Sequence, residues 1–199
     1  MTHHIAIDPA RADAPISTTR DRALAIVQRA FEQDPPVRWL YPDAESYAAY
    51  FPQFASALGA PAFAEATLRL SDAAAALWVR PGSEPDEAAL GALVERSVPV
   101  HRHADVFAVL EEMGHHHPAE PHWYLPVVGT LPEMQGRGFG AAVIAPVLDI
   151  CDRTGVPAYL EATTGRNRAL YARLGFVVTA EIRAADCPPL TAMVRQPQP

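Results

Sequence analysis

Residues 135–140 read Gln-Gly-Arg-Gly-Phe-Gly, and no other stretch restricts the fold as strongly. An apolar segment, 122–129, precedes it, and from Gly138 apolar residues recur at helical spacing. Strand, glycine loop and helix start in that order bring converging backbone N–H groups to the positive end of a helix. Arg137 adds a full charge that can reach a phosphate. The stretch reads as a backbone cradle for a phosphate-bearing ligand.

Two familiar cradles do not fit. A P-loop carries Lys and then Ser or Thr after its last glycine, whereas Ala141 and Ala142 follow Gly140. The dinucleotide fingerprint spaces its glycines G-x-G-x-x-G, and here 136, 138 and 140 alternate. Glu161 lies where that fingerprint wants an acid, about 20 residues on, but one acid discriminates little.

Further along stand Asn167-Arg168-Ala169-Leu170-Tyr171 and then Leu174-Gly175-Phe176. A Q-x-x-G-x-G loop followed by Asn-x-x-x-Tyr and a Leu-Gly-Phe exit resembles the GNAT superfamily of acetyl-CoA-dependent N-acetyltransferases. Within it the chain is similar to puromycin N-acetyltransferase-like members, through Trp123-Tyr124-Leu125, Gly155-Val156-Pro157, Leu160-Glu161, Arg166-Asn167 and Arg173-Leu174-Gly175-Phe176. The likeness covers 122–196. The first 120 residues match loosely, through Phe31, Pro35 and Trp78. It implies an α/β (α+β) fold, with a mixed, mostly antiparallel central sheet flanked by helices and splayed at the acetyl-CoA site. One acetyltransferase domain over 1–199 is expected, with 1–15 a loose, polar lead-in.

Composition bounds the alternatives. With 49% hydrophobic and 20% charged residues the chain is globular rather than disordered. No apolar run approaches the roughly 18 residues of a membrane span. The N-terminus lacks a basic region before an apolar stretch, so no secretory signal is evident. Cys151 and Cys187 fit no metal spacing, and reduced thiols in a cytoplasm are expected. A formal charge of −7 without a basic run argues against nucleic acid and favours a cationic substrate.

Apolar periodicity predicts helices over 18–34, 47–58, 90–98 and 106–113, with Pro35-Pro36 ending the first and Gly114 closing the last. Strands are expected at 63–70, 73–79, 122–129, 157–161, 176–183 and 190–195. One helix is expected from Gly138 to Gly155 despite Pro146, because its apolar spacing continues past the proline, and another over 167–174.

The resemblance distributes roles. The backbone of Val128, Gly129 and Thr130 would pair with the pantetheine arm and polarise the acetyl carbonyl. Gln135, Gly136, Arg137, Gly138, Phe139, Gly140 and Ala141 would hold the pyrophosphate. Tyr171 would protonate the leaving thiolate, since a phenol near pKa 10 suits a thiolate of roughly 8–9. Asn167, on the same helix face as Tyr171, is an N-cap, a CoA contact, or both. Glu161 is either a general base at the cleft or a surface charge. His122 and Tyr124 share a strand face and could line an acceptor pocket. Trp39, Tyr41 and Trp78 could form its aromatic wall, with core packing the plainer reading of Trp78. Three consecutive histidines, His115, His116 and His117, point about 100° apart on a helix and read as a solvated loop, with no metal expected.

These readings converge on transfer of an acetyl group from acetyl-CoA to a primary amine of a small molecule. Two others stay open: acetylation of protein N-termini or lysines, and a non-catalytic acyl-CoA-binding domain. The family's habits make a homodimer an expected partner.

Overall fold

Two strands that alternate apolar side chains to both faces, β2 (Ala74–Val79) and β3 (Trp123–Thr130), hold the centre of the molecule. The structure is a computed structural model and describes residues 16–199. The expected lead-in, 1–15, lies outside the described residues. Around β2 and β3 a six-stranded sheet forms in the order β1-β2-β3-β4-β6-β5, with β1 (Arg69–Leu70), β4 (Ala158–Ala162), β5 (Val177–Ile182) and β6 (Leu190–Arg195). All neighbours run antiparallel except β3 and β4, which run parallel.

Strand alternation sorts the core into layers. Ala74, Ala76 and Trp78 face α7 (Phe139–Thr154), packing with its Val143, Ile144, Val147 and Leu148. Ala75 and Leu77 point the other way, onto α1 (Ile16–Ala30) and α3 (Ala44–Leu58). Also on that face are α2 (Pro35–Leu40), α5 (Glu87–Ser97) and α6 (His103–His115).

An irregularity in β3 shapes the middle of the sheet. Leu77 faces Val127 and Val79 faces Tyr124, so two steps along β2 answer three along β3. The extra residue is a β-bulge, and Pro126, which has no N–H to donate, sits in it. The bulge reverses side-chain sense: Leu125 lies in the α7 layer, but Val127 lies in the opposite one. The β3–β4 ladder pairs only Trp123 with Ala158 and Tyr124 with Tyr159. Beyond Tyr124 the two parallel strands part, and β4 pairs onward only with β6.

The strand expected at 63–70 is corrected. Ala60–Ala64 is a short helix, α4, opened by Pro61, and only Arg69–Leu70 is extended. Gly59 at its start has no room for a Cβ, which would lie 2.2 Å from a Leu77 methyl, so this turn is set by contact with β2. Pro35-Pro36 does more than end a helix. With Asp34 as N-cap, whose side chain accepts from Val37 N, the prolines open α2. In α7 the helix passes through Pro146 unbroken and ends at Gly155, whose φ of 69° is left-handed. The last described helix, α8 (Gly165–Arg173), leads into β5. Among the described residues no helix is long and apolar enough to cross a membrane.

Candidate active site

The glycine loop forms the start of α7. Gly136 and Gly138 have φ of 76° and 88°, and a Cβ at either would meet nothing, so backbone conformation, not space, requires glycine. No side chain caps the helix at Gly138, which leaves the first-turn N–H groups of Phe139, Gly140 and Ala141 directed outward at its positive end. At Gly140 a Cβ would come 3.1 Å from the Thr130 hydroxyl, a tight contact. The loop is tied down at both ends. Gln135 Nε2 donates to the Thr130 carbonyl at 3.2 Å, and Arg29 forms a two-pronged contact with Glu133 at 3.0 and 3.1 Å. Arg137 is exposed and makes no ion pair among the described residues.

Beside this cradle the splay exposes one edge of β3. Val128, Gly129 and Thr130 pair with β2 on one side, opposite Ala76, Ala75 and Ala74, and β4 has already turned away on the other. Backbone groups on the free edge are available to the amides of an extended ligand. Gly129 serves packing as well, because a Cβ there would lie 2.7 Å from the Ala30 Cβ. Edge and cradle open into one cleft of about 380 Å³, lined by Val128–Thr130, by the loop apart from Arg137, and by Asn167, Leu170 and Tyr171 of α8. Arg166 and Arg173 also line it, placing cations where phosphates would lie. Both stand in the resembling motif, yet only the fold shows that they face the cleft.

Asn167 is not the N-cap of α8. Thr164 is, its hydroxyl accepting from Asn167 N at 3.1 Å. The Asn167 side chain donates instead to Thr163 Oγ1 at 3.3 Å. Tyr171 is 5% exposed. Burial first, and the negative Asp34 second, push its phenol far above its ordinary value, so it stays protonated. The near match between phenol and thiolate expected from sequence is therefore altered: Tyr171 is a better hydrogen-bond donor than proton donor.

Asp34 is the residue that sequence reasoning missed. It lines the cleft, is 8% exposed, and bonds the Thr163 hydroxyl while its other oxygen caps α2 through Val37 N. Its signal was Asp-Pro-Pro, a helix cap rather than a mere stop. Burial raises its pKa against the lowering effect of these bonds. Thr163 in turn lines a second, apolar cavity of about 100 Å³, together with Phe31, Trp39, Leu110, Met113, Val127 and Leu190. Phe31 borders both spaces, so cleft and cavity meet at the Asp34–Thr163 pair.

Glu161 points into this cavity, two residues before Thr163 on the same strand face. Its side chain is 3% exposed, and no hydrogen bond reaches Oε1. His117 Nε2 approaches that oxygen at 3.5 Å. His117 is thus not part of a solvated loop: its ring packs on Tyr124 and Tyr159 at 4.4 Å, and its Nδ1 lies 3.2 Å from His122 Nε2. His117, His122 and Tyr124 form one wall of an outer, open cavity of about 830 Å³, which shares Leu58, Leu110 and Met113 with the apolar one.

Two expected wall residues are corrected. Tyr41 is 1% exposed, packs in the helical layer and contacts Ser97 Oγ at 3.2 Å. Trp78 is fully buried edge-on against Trp123, on the α7 side of the sheet. Strand parity sent it to the opposite face from the cavity. Trp39 does line the cavity, held by donation to Asp186 at 2.7 Å and by Arg102 stacked 4.6 Å from its ring. Among the described residues no group of three or more His, Cys, Asp or Glu is arranged to hold a metal ion.

Residues 45–176 match the sequence model of the acetyltransferase (GNAT) family. An uncharacterized N-acetyltransferase of Schizosaccharomyces pombe is 39% identical over 79 residues, which are 38% of this chain and 32% of the relative. The match thus spans about a third of that curated relative's length. A solved structure from Corynebacterium glutamicum, described as histone acetyltransferase HPA2 and related acetyltransferase, is 26% identical. It superposes with a TM-score of 0.63 over 92% of this chain and 93% of that one. The Drosophila melanogaster polyamine N-acetyltransferase, which forms N-acetylagmatine, is alike in fold: 13% identity, TM-score 0.59, covering 92% and 97%.

Proposed function

The chain belongs to the acetyltransferase (GNAT) family, and from that premise we propose that it transfers the acetyl group of acetyl-CoA directly to a primary amine of a small molecule with an apolar body. The observation that carries this reading is the parting of β3 from β4 beside an uncapped helix N-terminus. A free strand edge suits the pantetheine amides, and the α7 cradle with Arg137, Arg166 and Arg173 suits the phosphates. Acetyl-CoA supplies the activated acyl group; the chain's residues position it and manage protons.

The acceptor enters the apolar cavity, whose small volume and apolar lining suit a slender amine. Glu161 takes the ammonium proton there. Asp34 is the lesser candidate base, because its two oxygens are engaged by Thr163 and Val37, while Glu161 Oε1 has no hydrogen bond. A backbone N–H of Val128–Thr130 polarises the acetyl carbonyl. Tyr171 donates a hydrogen bond to the departing sulfur. A small acceptor is in keeping with the Drosophila polyamine enzyme. We read 1–199 as one such domain, acting in the cytoplasm.

Thermal unfolding with and without acetyl-CoA tests the reading. Ligand at about 100 times its dissociation constant adds roughly 2.7 kcal/mol. The shift is expected to shrink in Arg137→Ala, and amine-dependent thiol release should accompany it with slender alkyl or arylalkyl amines. No shift with acetyl-CoA, CoA or longer acyl-CoAs removes the reading. A shift without thiol release from any amine leaves the acyl-CoA-binding alternative.

A further inference from the structure

Behind Glu161 the structure places a line of groups that acetyl transfer does not itself require. Glu161 Oε1 lies 3.5 Å from His117 Nε2, His117 Nδ1 lies 3.2 Å from His122 Nε2, and His122 Nδ1 lies 2.9 Å from the Glu120 carbonyl. The line starts at the wall of the small apolar cavity and ends at the wall of the larger outer one. We propose that His117 and His122 form the proton outlet of Glu161, carrying the proton stripped from the amine to the water of the outer cavity. The proposal rests on Glu161 as the base.

Counting protons supports it. Both ends of the line, a carboxylate and a carbonyl, can only accept. The two hydrogen bonds of the line need one proton each, and two neutral imidazoles supply them. The Glu120 carbonyl requires the His122 proton on Nδ1, so His122 Nε2 accepts and His117 carries its proton on Nδ1. His117 Nε2 then faces Glu161 Oε1 across 3.5 Å with its lone pair free to take a proton. Burial first, and His117 beside it, hold the His122 pKa below its ordinary value, so the outer ring gives up a second proton readily.

In turnover an ammonium N–H bond breaks, its electron pair stays on nitrogen, and an O–H bond forms at Glu161. That proton passes to His117 Nε2 as His117 Nδ1 gives one to His122 Nε2 and His122 Nδ1 releases one to water. One proton enters, one leaves, the line again holds two, and reorientation of both rings restores the starting tautomers. The groups facing the two histidines are Tyr124 from β3, Tyr159 and Glu161 from β4, and Glu120 from the loop that also carries His122. Burial and Glu161 keep both tyrosines protonated, so they do not compete for the proton.

Two measurements on the full-length protein test the relay. Nitrogen-15 NMR of the histidine rings should show His117 as the Nδ1–H tautomer. A neutral His117 protonated on Nε2 breaks the count and overturns the proposal, whatever the activity. In thiol-release assays His117→Gln should lower kcat by about tenfold, with the KM for acetyl-CoA unchanged. His117→Ala should recover with added imidazole, a response that a packing role would not give. Wild-type kcat and pH profile in His117→Gln, or a loss that imidazole leaves untouched, also overturn it. Full activity in Glu161→Gln instead removes the base on which it rests.

Discussion

Burial treats Tyr171 and Glu161 differently, and their substitutions should separate accordingly. Tyr171→Phe keeps the ring packed on Phe176, 6.1 Å between centroids, and removes one donor. It should cut kcat by about 10² while acetyl-CoA binding, read by thermal shift, survives. Glu161→Gln should cost at least as much, with activity partly returning at alkaline pH as the amine deprotonates on its own. Because the Tyr171 phenol is pushed far above its usual value, its protonated form persists through pH 10. A falling limb of the rate below pH 10 that disappears in Tyr171→Phe would contradict this assignment. In the sequence Tyr171 stood out through its spacing from Asn167, and Glu161 through its strand end. Asp34 did not, because its partner Thr163 is 129 positions away.

Two elements are held at contact distance by missing atoms. Gly129 lets α1 approach β3 so closely that Gly129→Ala must push Ala30 away, costing about 1–3 kcal/mol. The double variant Gly129→Ala with Ala30→Gly should recover part of the loss but not all, since Val27 Cα also lies 3.3 Å from the added atom. Denaturant midpoints read both, and full additivity would refute the contact. The second element is the bulge at Pro126. A strand over 122–129 was legible from its apolar residues, and the proline within it hinted at an irregularity. Its use, to end pairing with β4 and free an edge, became visible only with the register of three strands. The strand expected at 63–70 failed for a similar reason. Phe63 and Leu68 are apolar, but the close approach of Gly59 to Leu77 turns that segment into a helix and a turn.

At the scale of the whole molecule, burial of phenols sets a limit on alkaline stability. Tyr124, Tyr159 and Tyr171 all have raised pKa values in the fold. A raised value means that unfolded phenols ionise first. Their contribution is complete below about pH 10 and falls as pH rises, by up to about 1.4 kcal/mol per pH unit for each group. Denaturation midpoints at pH 9, 10 and 11 should decline, and Tyr159→Phe, which removes a buried hydroxyl beside Glu161, should flatten the decline. An unchanged slope in that variant would show that Tyr159 does not contribute.

The glycine loop, the start of α7, the Asn-x-x-x-Tyr helix and the family they mark were all readable from the chain alone. Those features rest on local causes: glycine reaches positive φ, proline fixes φ, and apolar spacing of 3.6 marks a helix face. Tertiary structure alone decided that Trp78 and Tyr41 pack in the core, that Asp34 meets Thr163, and that three histidines resolve into one ring against Glu161. Each of these depends on strand parity and register, which pairing between distant segments sets and no local residue pattern encodes.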